Sequence, residues 1–311
     1  MMAFTAKDVK TLRDMTGAGM MDCKKALGAT DGNIDEAVNW LRENGLAKAA
    51  KKADRIAAEG LVAVDVDEDG KRGSIVEVNS ETDFVAKNEK FQSYVASIAA
   101  QAKQSGAKNI EEFLAEKSIL DPSMSVEDKN KEEVAVIGEN LKIRRFAVLN
   151  AEDGIIVPYV HAGGRIGVLV HASTDAPDNA DVKSALELVA MQVASMRPKY
   201  FSKNDVPSDW IDSEKEVLMK EAQNEKPNGN DKMWNGIVMG RLNKEFKEIC
   251  LLDQEFVFAE DGKPSVEKFV ADKAKELGVS LKLVEFVRFE TGEGLEKKNE
   301  DFAAEVAAQM K

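Results

Sequence analysis

This chain has too few cysteines, histidines and aromatic residues for most catalytic or metal-centred designs. Its two cysteines, Cys23 and Cys250, lie far apart and make neither a disulfide framework nor a metal motif. Its two histidines, His161 and His171, stand ten residues apart with no cysteine or carboxylate at ligand spacing, which argues against a metal site. There is no Gly-x-Ser-x-Gly, no Cys-x-x-Cys and no convincing triad. No stretch approaches the ~20 consecutive apolar residues that a membrane span needs. The start, Met1-Met2-Ala3-Phe4-Thr5, lacks a basic region followed by an apolar run, and it is not Arg/Ser-rich like a transit peptide. A positive net charge is also missing. The formal value is −13, which argues against nonspecific binding to nucleic acid or to anionic membrane. The expectation is a reduced, soluble, cytoplasmic protein without a metal or cofactor.

What is present suits two or three modest domains in 311 residues, with 43% hydrophobic residues to fill their cores. The charge is uneven: residues 1–58 carry ten Lys/Arg against eight Asp/Glu, and the remainder carries 33 against 48. The basic excess gathers in Lys48, Lys51, Lys52 and Arg55, on an Ala-rich stretch that suits a solvated helix face better than a binding patch.

Thr5 is a good N-cap, Val9 and Leu12 follow at helical spacing, and Thr16-Gly17-Ala18-Gly19 stops the helix. Met20, Met21, Cys23 and Leu27 open a second helix that ends near Gly28. Asp31-Gly32-Asn33 is a turn and cap before a third helix with Ile34, Ala37, Val38 and Leu41 on its buried stripe, stopped at Asn44-Gly45. A fourth, linker helix is expected over about 46–58. The pattern then alternates in Leu61–Val66 and Ser74–Val78, with Asp67-Glu68-Asp69-Gly70 as the hairpin turn. An amphipathic helix carries Phe91, Tyr94, Val95, Ile98 and Ala102, and residues 108–140 are helical again with a break at Asp121-Pro122. A second strand-rich stretch begins at Leu141 and includes a hairpin around Gly163-Gly164. A helix with Val182, Leu186, Val189 and Val193 follows. Residues 204–246 form a helical hairpin whose apolar stripe packs within itself or meets a second chain. Glu255–Phe258 and Leu283–Glu290 are expected strands around a helix from Ser265, and a short last helix carries Phe302, Ala303, Val306 and Met310.

The stretch from Val76 to Phe91 joins a strand to a helix through a polar turn holding Asp83 and Phe84. By pattern alone, Phe84 either tucks into the local core or projects as a wedge into a partner. Thr82-Asp83 and Thr174-Asp175 each follow a strand and precede a helix, 92 residues apart, with Gln101 and Gln192 near the helix ends. This suggests two related units, each a small antiparallel sheet backed by helices. The second has Ala176-Pro177 where the first has Phe84-Val85, so the fold of the unit does not demand the Phe and the wedge gains weight. Gly17–Lys25 is not a phosphate loop: it lacks the Gly before Lys and the Ser/Thr after it, and it follows a helix. Of the adjacent Met20 and Met21, at least one must be exposed, which fits an adaptable contact surface.

Four segments carry a family resemblance: Thr16–Leu27, Glu77-Val78-Asn79 with Thr82–Lys87, Arg165–Val170, and Gly292–Glu296 with Asp301–Ala307. They closely resemble the bacterial translation elongation factor Ts family, essentially end to end, with departures at about 103–135 and 199–262. The resemblance implies a guanine-nucleotide exchange factor, not an enzyme, that binds elongation factor Tu. It implies a bundle similar to a ubiquitin-associated domain that docks on the partner's nucleotide-binding domain, with Arg13, Met20 and Met21 as contacts. It gives Thr82, Asp83, Phe84 and Val85 to dislodging Mg²⁺ from the partner, and His161 to a contact of the second subdomain.

The expected fold is α+β. A bundle and linker fill 1–55, a first core subdomain 56–140, and a second subdomain 141–203 with 247–290. The hairpin of 204–246 is an excursion that leaves open a homodimer within a heterotetramer, and 291–311 form a docking module. A non-catalytic polypeptide-binding adaptor is the alternative function.

Overall fold

The computed structural model describes residues 4–259 and 262–296. The N-terminal bundle follows its caps. α1 (Ala6–Thr16) begins at Thr5, whose N–H and hydroxyl donate to the Asp8 carboxylate, and ends at Gly17 in the left-handed conformation. α2 (Met20–Ala29) and α3 (Ile34–Ala50) follow, with Asn33 capping the latter. Val9, Leu12, Cys23, Ala26, Leu27 and Ala37 form the bundle's buried centre. The expected stop at Asn44-Gly45 does not occur, and the expected linker helix is the end of α3 followed by turns through residues 51–55. Gly45 serves a different purpose. A Cβ there would lie 3.1 Å from Ala135 Cβ, so its bare backbone lets α3 lie close against a later helix of the core. Arg42 crosses the same junction to Asp121 at 2.9 Å and Glu132 at 3.0 Å.

The core holds two three-stranded antiparallel sheets. The first unit runs β1 (Glu59–Val66), β2 (Arg72–Ser80), α4 (Asp83–Ala86), α5 (Glu89–Gln104), α6 (Ile110–Ala115), α7 (Val126–Ile137) and β3 (Lys142–Asn150). Its sheet has the order β1-β2-β3. The strand from Leu141, read from sequence as the start of the second subdomain, therefore completes the first sheet by pairing with β2. The second unit runs β4 (Gly154–His161), β5 (Ile166–Thr174), α8 (Ala180–Met196), α9 (Ser208–Glu225), α10 (Asp231–Ile249), α11 (Val266–Leu277) and β6 (Leu281–Glu290), with the order β4-β5-β6. The expected strand Glu255–Phe258 reduces to one bridge, Glu255 to Ser265. Its remaining backbone is committed elsewhere, and Phe256 stacks on Phe269 at 3.8 Å between centroids. In the hairpin, Leu218, Ala222, Val238, Leu242 and Phe246 are buried in one cluster, while Val217, Met233 and Met239 are exposed. The expected last helix lies outside the described residues.

The units are copies in detail. Each central strand has one register shift, at Glu77/Val78 and at His171/Ala172. Gln101 clamps a loop by donating to Lys117 O at 3.1 Å and accepting from Ile119 N at 2.7 Å. Gln192 does the same to Glu255 O and Val257 N, both at 3.1 Å. Ser125 caps α7 and Ser265 caps α11, each bridging back to the clamped residue. Gly138 and Gly278 then end those helices in the left-handed region. The hairpin α9–α10 is an insertion between Gln192 and its loop.

The Thr-Asp correspondence read from sequence is out of step by two residues. The amide of Asn140 donates to Glu81, and that of Ser280 to Asp175, so Glu81 and not Asp83 is the counterpart of Asp175. From there to the asparagine capping the next helix, the first unit has six residues, 82–87, and the second three, 176–178. The turn that carries Phe84 is the extra length.

One carboxylate joins the units. Glu77 on β2 is fully buried and meets Arg144 at 3.0 Å and Arg145 at 2.6 Å. It also accepts from Asn79 Nδ2 at 3.0 Å and from the Gly292 N–H, just past β6, at 2.8 Å. Arg144 and Arg145 donate onward to the carbonyls of Glu293 and Glu290. Around this knot, Val62, Ile75, Ile156, Leu169 and Phe289 form an apolar layer between the sheets. Glu77→Ala is expected to lower the unfolding free energy by about 3–5 kcal/mol, the usual cost of taking one partner from a buried ion pair. Urea denaturation measures it, and a loss below about 1 kcal/mol, the range of a surface pair, would contradict this role.

Candidate functional site

β2 ends at Ser80, and Thr82 restarts the chain as an N-cap: its hydroxyl accepts from Val85 N at 3.4 Å. The four residues of α4 are too few to hold a helical turn by their own bonds. Two anchors compensate. Val85 and Ala86 pack down onto the core of the first unit. The Glu139 carboxylate accepts the Thr82 N–H at 3.0 Å and its hydroxyl at 2.7 Å.

Phe84 points the other way. It is 79% exposed, which decides between the two sequence readings in favour of projection. Asp83 pairs with Lys87 one turn on at 2.7 Å, and Lys87 Nζ lies 5.9 Å from the Phe84 ring centroid. The Lys87 hydrogen bond, chiefly, holds the Asp83 carboxyl below the usual aspartate range. Arg165, at the start of β5 and bonded to Glu59 at 3.5 Å, pulls in the same direction. Glu59 pairs with Ser80 at the end of β2, so its bond to Arg165 brings the β4–β5 turn of the second unit near the strand end that leads into the Phe84 turn, a proximity with no signal in sequence spacing.

The other sequence candidates stand apart from this turn on the chain. His161, at the end of β4, is exposed and its Nδ1 lies 3.0 Å from the Tyr159 hydroxyl. Arg13 is exposed on α1. Met20 and Met21 are both exposed, at 57% and 63%, and Met15 joins them at 60%, a residue that sequence reasoning passed over. Three of the four basic residues noted in this stretch make internal ties. Lys48 pairs with Asp22, Arg55 with Glu81, and Lys52 donates to Gly138 O. A cleft of about 690 Å³ separates bundle from core and is lined by Met15, Trp40, Leu41, Tyr94 and charged side chains. Among the described residues no cluster of His, Cys, Asp and Glu is placed to hold a metal, and no helix is long and apolar enough to cross a membrane.

The two-unit frame thus carries a protruding aromatic on an inserted turn, and the helical bundle carries exposed methionines. The comparisons are specific about the class of the chain. The family model described as Elongation factor TS matches residues 81–293, and that of the UBA/TS-N domain matches residues 4–41. The protein named Elongation factor Ts from Clostridium botulinum (strain Eklund 17B / Type B) is 48% identical over 307 residues, covering 98% of this chain and 99% of the relative. Elongation factor Ts from Clostridium perfringens (strain SM101 / Type A) is 48% identical over 304 residues, covering 97% and 98%. The chain belongs to the elongation factor Ts family and is a translation elongation factor.

The lowered pKa of Asp83 carries a pH prediction. A depressed carboxyl stabilises the turn fully above the ordinary aspartate range, and the contribution is lost as pH falls through the folded-state pKa. In carboxyl NMR titrations, Asp83 of the intact protein should titrate below an ordinary aspartate, and Lys87→Met should move it up toward one. An unchanged midpoint in Lys87→Met would show that the pair does not set it.

Proposed function

We propose that this chain is a guanine-nucleotide exchange factor for elongation factor Tu, acting in the cytoplasm and making or breaking no covalent bond. The exposure of Phe84 on a turn pinned to a rigid frame carries the reading. An apolar ring held 79% in water is unfavourable in the free protein and gains on entering a partner's packed interior. Driven between elements that shape a nucleotide site, it would displace the groups that complete the Mg²⁺ shell. Mg²⁺ requires near-ideal octahedral oxygens and shares its charge with the phosphates, so a small displacement there weakens GDP. The effect is reciprocal: a factor that weakens nucleotide binding is itself expelled when GTP binds.

The other residues take supporting parts in this reading. Thr82 and Val85 hold the turn, and the Asp83 pair keeps the Lys87 ammonium beside the Phe84 ring. Met20 and Met21, with Arg13, give the bundle a flexible apolar surface for the nucleotide-binding domain, and His161 a contact from the second unit. Work is thereby divided between docking and displacement.

Release of labelled GDP from purified elongation factor Tu tests the division. The intact chain should accelerate it; no acceleration would sink the proposal. Asp83→Ala with Phe84→Ala should slow the saturated exchange rate by about tenfold or more while weakening complex formation much less, the pattern of an interaction used in the activated state. Equal losses in both would make the turn only an anchor. Met20→Ala with Met21→Ala should instead weaken binding by about 1–2 kcal/mol with the saturated rate retained; unchanged affinity would remove that contact.

A further inference from the structure

The loop between α7 and β3 binds two segments, the linker of the bundle and the start of the Phe84 turn, with three successive residues. Gly138 O accepts from Lys52 in the linker of the bundle. The Glu139 carboxylate accepts both the N–H and the hydroxyl of Thr82. Asn140, 8% exposed, donates its amide to Glu81 at 2.7 Å and its side chain to Ala53 O at 3.2 Å and Arg55 O at 2.8 Å. Arg55 closes the ring by reaching Glu81 at 3.4 Å.

The second unit serves as an internal control. There Ser280 takes the place of Asn140 and donates to Asp175 at 2.9 Å, so the framework bond is kept. The residue before it, in the place of Glu139, is Val279. That unit also lacks the three-residue extension that forms α4. The fold therefore has no need of a carboxylate at this position. It occurs only in the copy that carries the exposed Phe, and both its oxygens face the cap of that turn.

We propose that Glu139 is a positioning residue for the exchange reaction. It holds Thr82 so that Phe84 stands at one height and angle above the core, and Asn140 locks the same loop to the bundle's linker. A four-residue helix without this clamp would keep its packing through Val85 but lose the fixed start of its first turn. A wedge that must first be ordered loses part of its effect to that ordering. The proposal rests on the exchange reading, and its test separates the two.

The test compares the full-length protein with Glu139→Ala, Glu139→Gln, Phe84→Ala and the Glu139→Ala/Phe84→Ala double variant. Amide hydrogen exchange in the free proteins is the first readout. Glu139→Ala should speed the Thr82 amide by about 10- to 100-fold, the range for losing a hydrogen bond to a charged group, with the α5 amides unchanged as the control for folding. GDP release from elongation factor Tu is the second. Glu139→Ala should lower the saturated rate about tenfold with a shift of less than about threefold in the half-saturating concentration. Glu139→Gln, which keeps one acceptor oxygen, should recover part of both effects. The double variant should be no slower than Phe84→Ala, because Glu139 acts through the ring. An unchanged Thr82 amide, a full saturated rate in Glu139→Ala, or an additive further loss in the double variant would overturn the assignment. If the unaltered protein failed to accelerate release, the exchange reading would fall, and the Thr82 amide would still decide whether Glu139 fixes the turn.

Discussion

Burying the Glu77 carboxylate is the constraint on which the rest of the structure depends. A fully buried charge is tolerated only when it is paired and its remaining lone pairs are filled. Glu77 meets that condition by drawing in two arginines from β3, a side-chain amide from its own strand and a backbone N–H from beyond β6. These groups belong to both sheets, so the pairing can be complete only when the two units are assembled. Arg145 also lies over the Phe289 ring, 4.3 Å from its centroid, which joins the ionic knot to the apolar layer beside it. Gly292 contributes by having no side chain: a Cβ there would fall 2.1 Å from Ala58 O. The last turn can therefore press against the chain entering β1.

Against this joined frame the inserted turn stands out. The two units share their bulges, glutamine clamps, serine caps and closing glycines, so those features belong to the frame. The additions to the frame are α4 in one copy and the α9–α10 hairpin in the other. An exposed aromatic on a mobile tail would conform to any partner surface. The same ring on a turn clamped at Thr82, and seated by Val85, presents one shape, which in the proposed reaction a partner would have to move to accommodate. In the proposed exchange reaction, exposed methionines on a separate bundle would let affinity and displacement be tuned by different residues.

Much of this was legible in the sequence because local physics decided it. Thr5, Asn33 and Gly17 mark helix ends by the hydrogen bonds and backbone angles they permit, and each does so in the structure. The strand alternation around Asp67–Gly70 and the hairpin at Gly163-Gly164 were equally local. Comparing the copies favours projection of Phe84 without deciding it, and the structure shifts that alignment by two residues. The misreadings share a different cause. Gly45 was read as a stop because a glycine's reason for being in a helix, here the approach of Ala135, lies far away in sequence. β3 was given to the wrong sheet because alternation shows that a strand exists without naming its neighbour. The strand alternation around Glu77 carries no sign of its burial, because only its distant partners make burial tolerable. Glu139 was part of a segment end and nothing more, since its role depends on Thr82, 57 residues away.

The central claim is that the clamped Phe84 acts on the Mg²⁺ end of the partner's nucleotide site. Its most direct test is the Mg²⁺ dependence of GDP release from elongation factor Tu, with and without this protein. If the factor works by unseating Mg²⁺, chelating the metal already does part of its work. The acceleration by the intact protein should then shrink when Mg²⁺ is removed, and the difference between it and Phe84→Ala should shrink with it. The same fold-acceleration with and without Mg²⁺, for both proteins, would contradict the account.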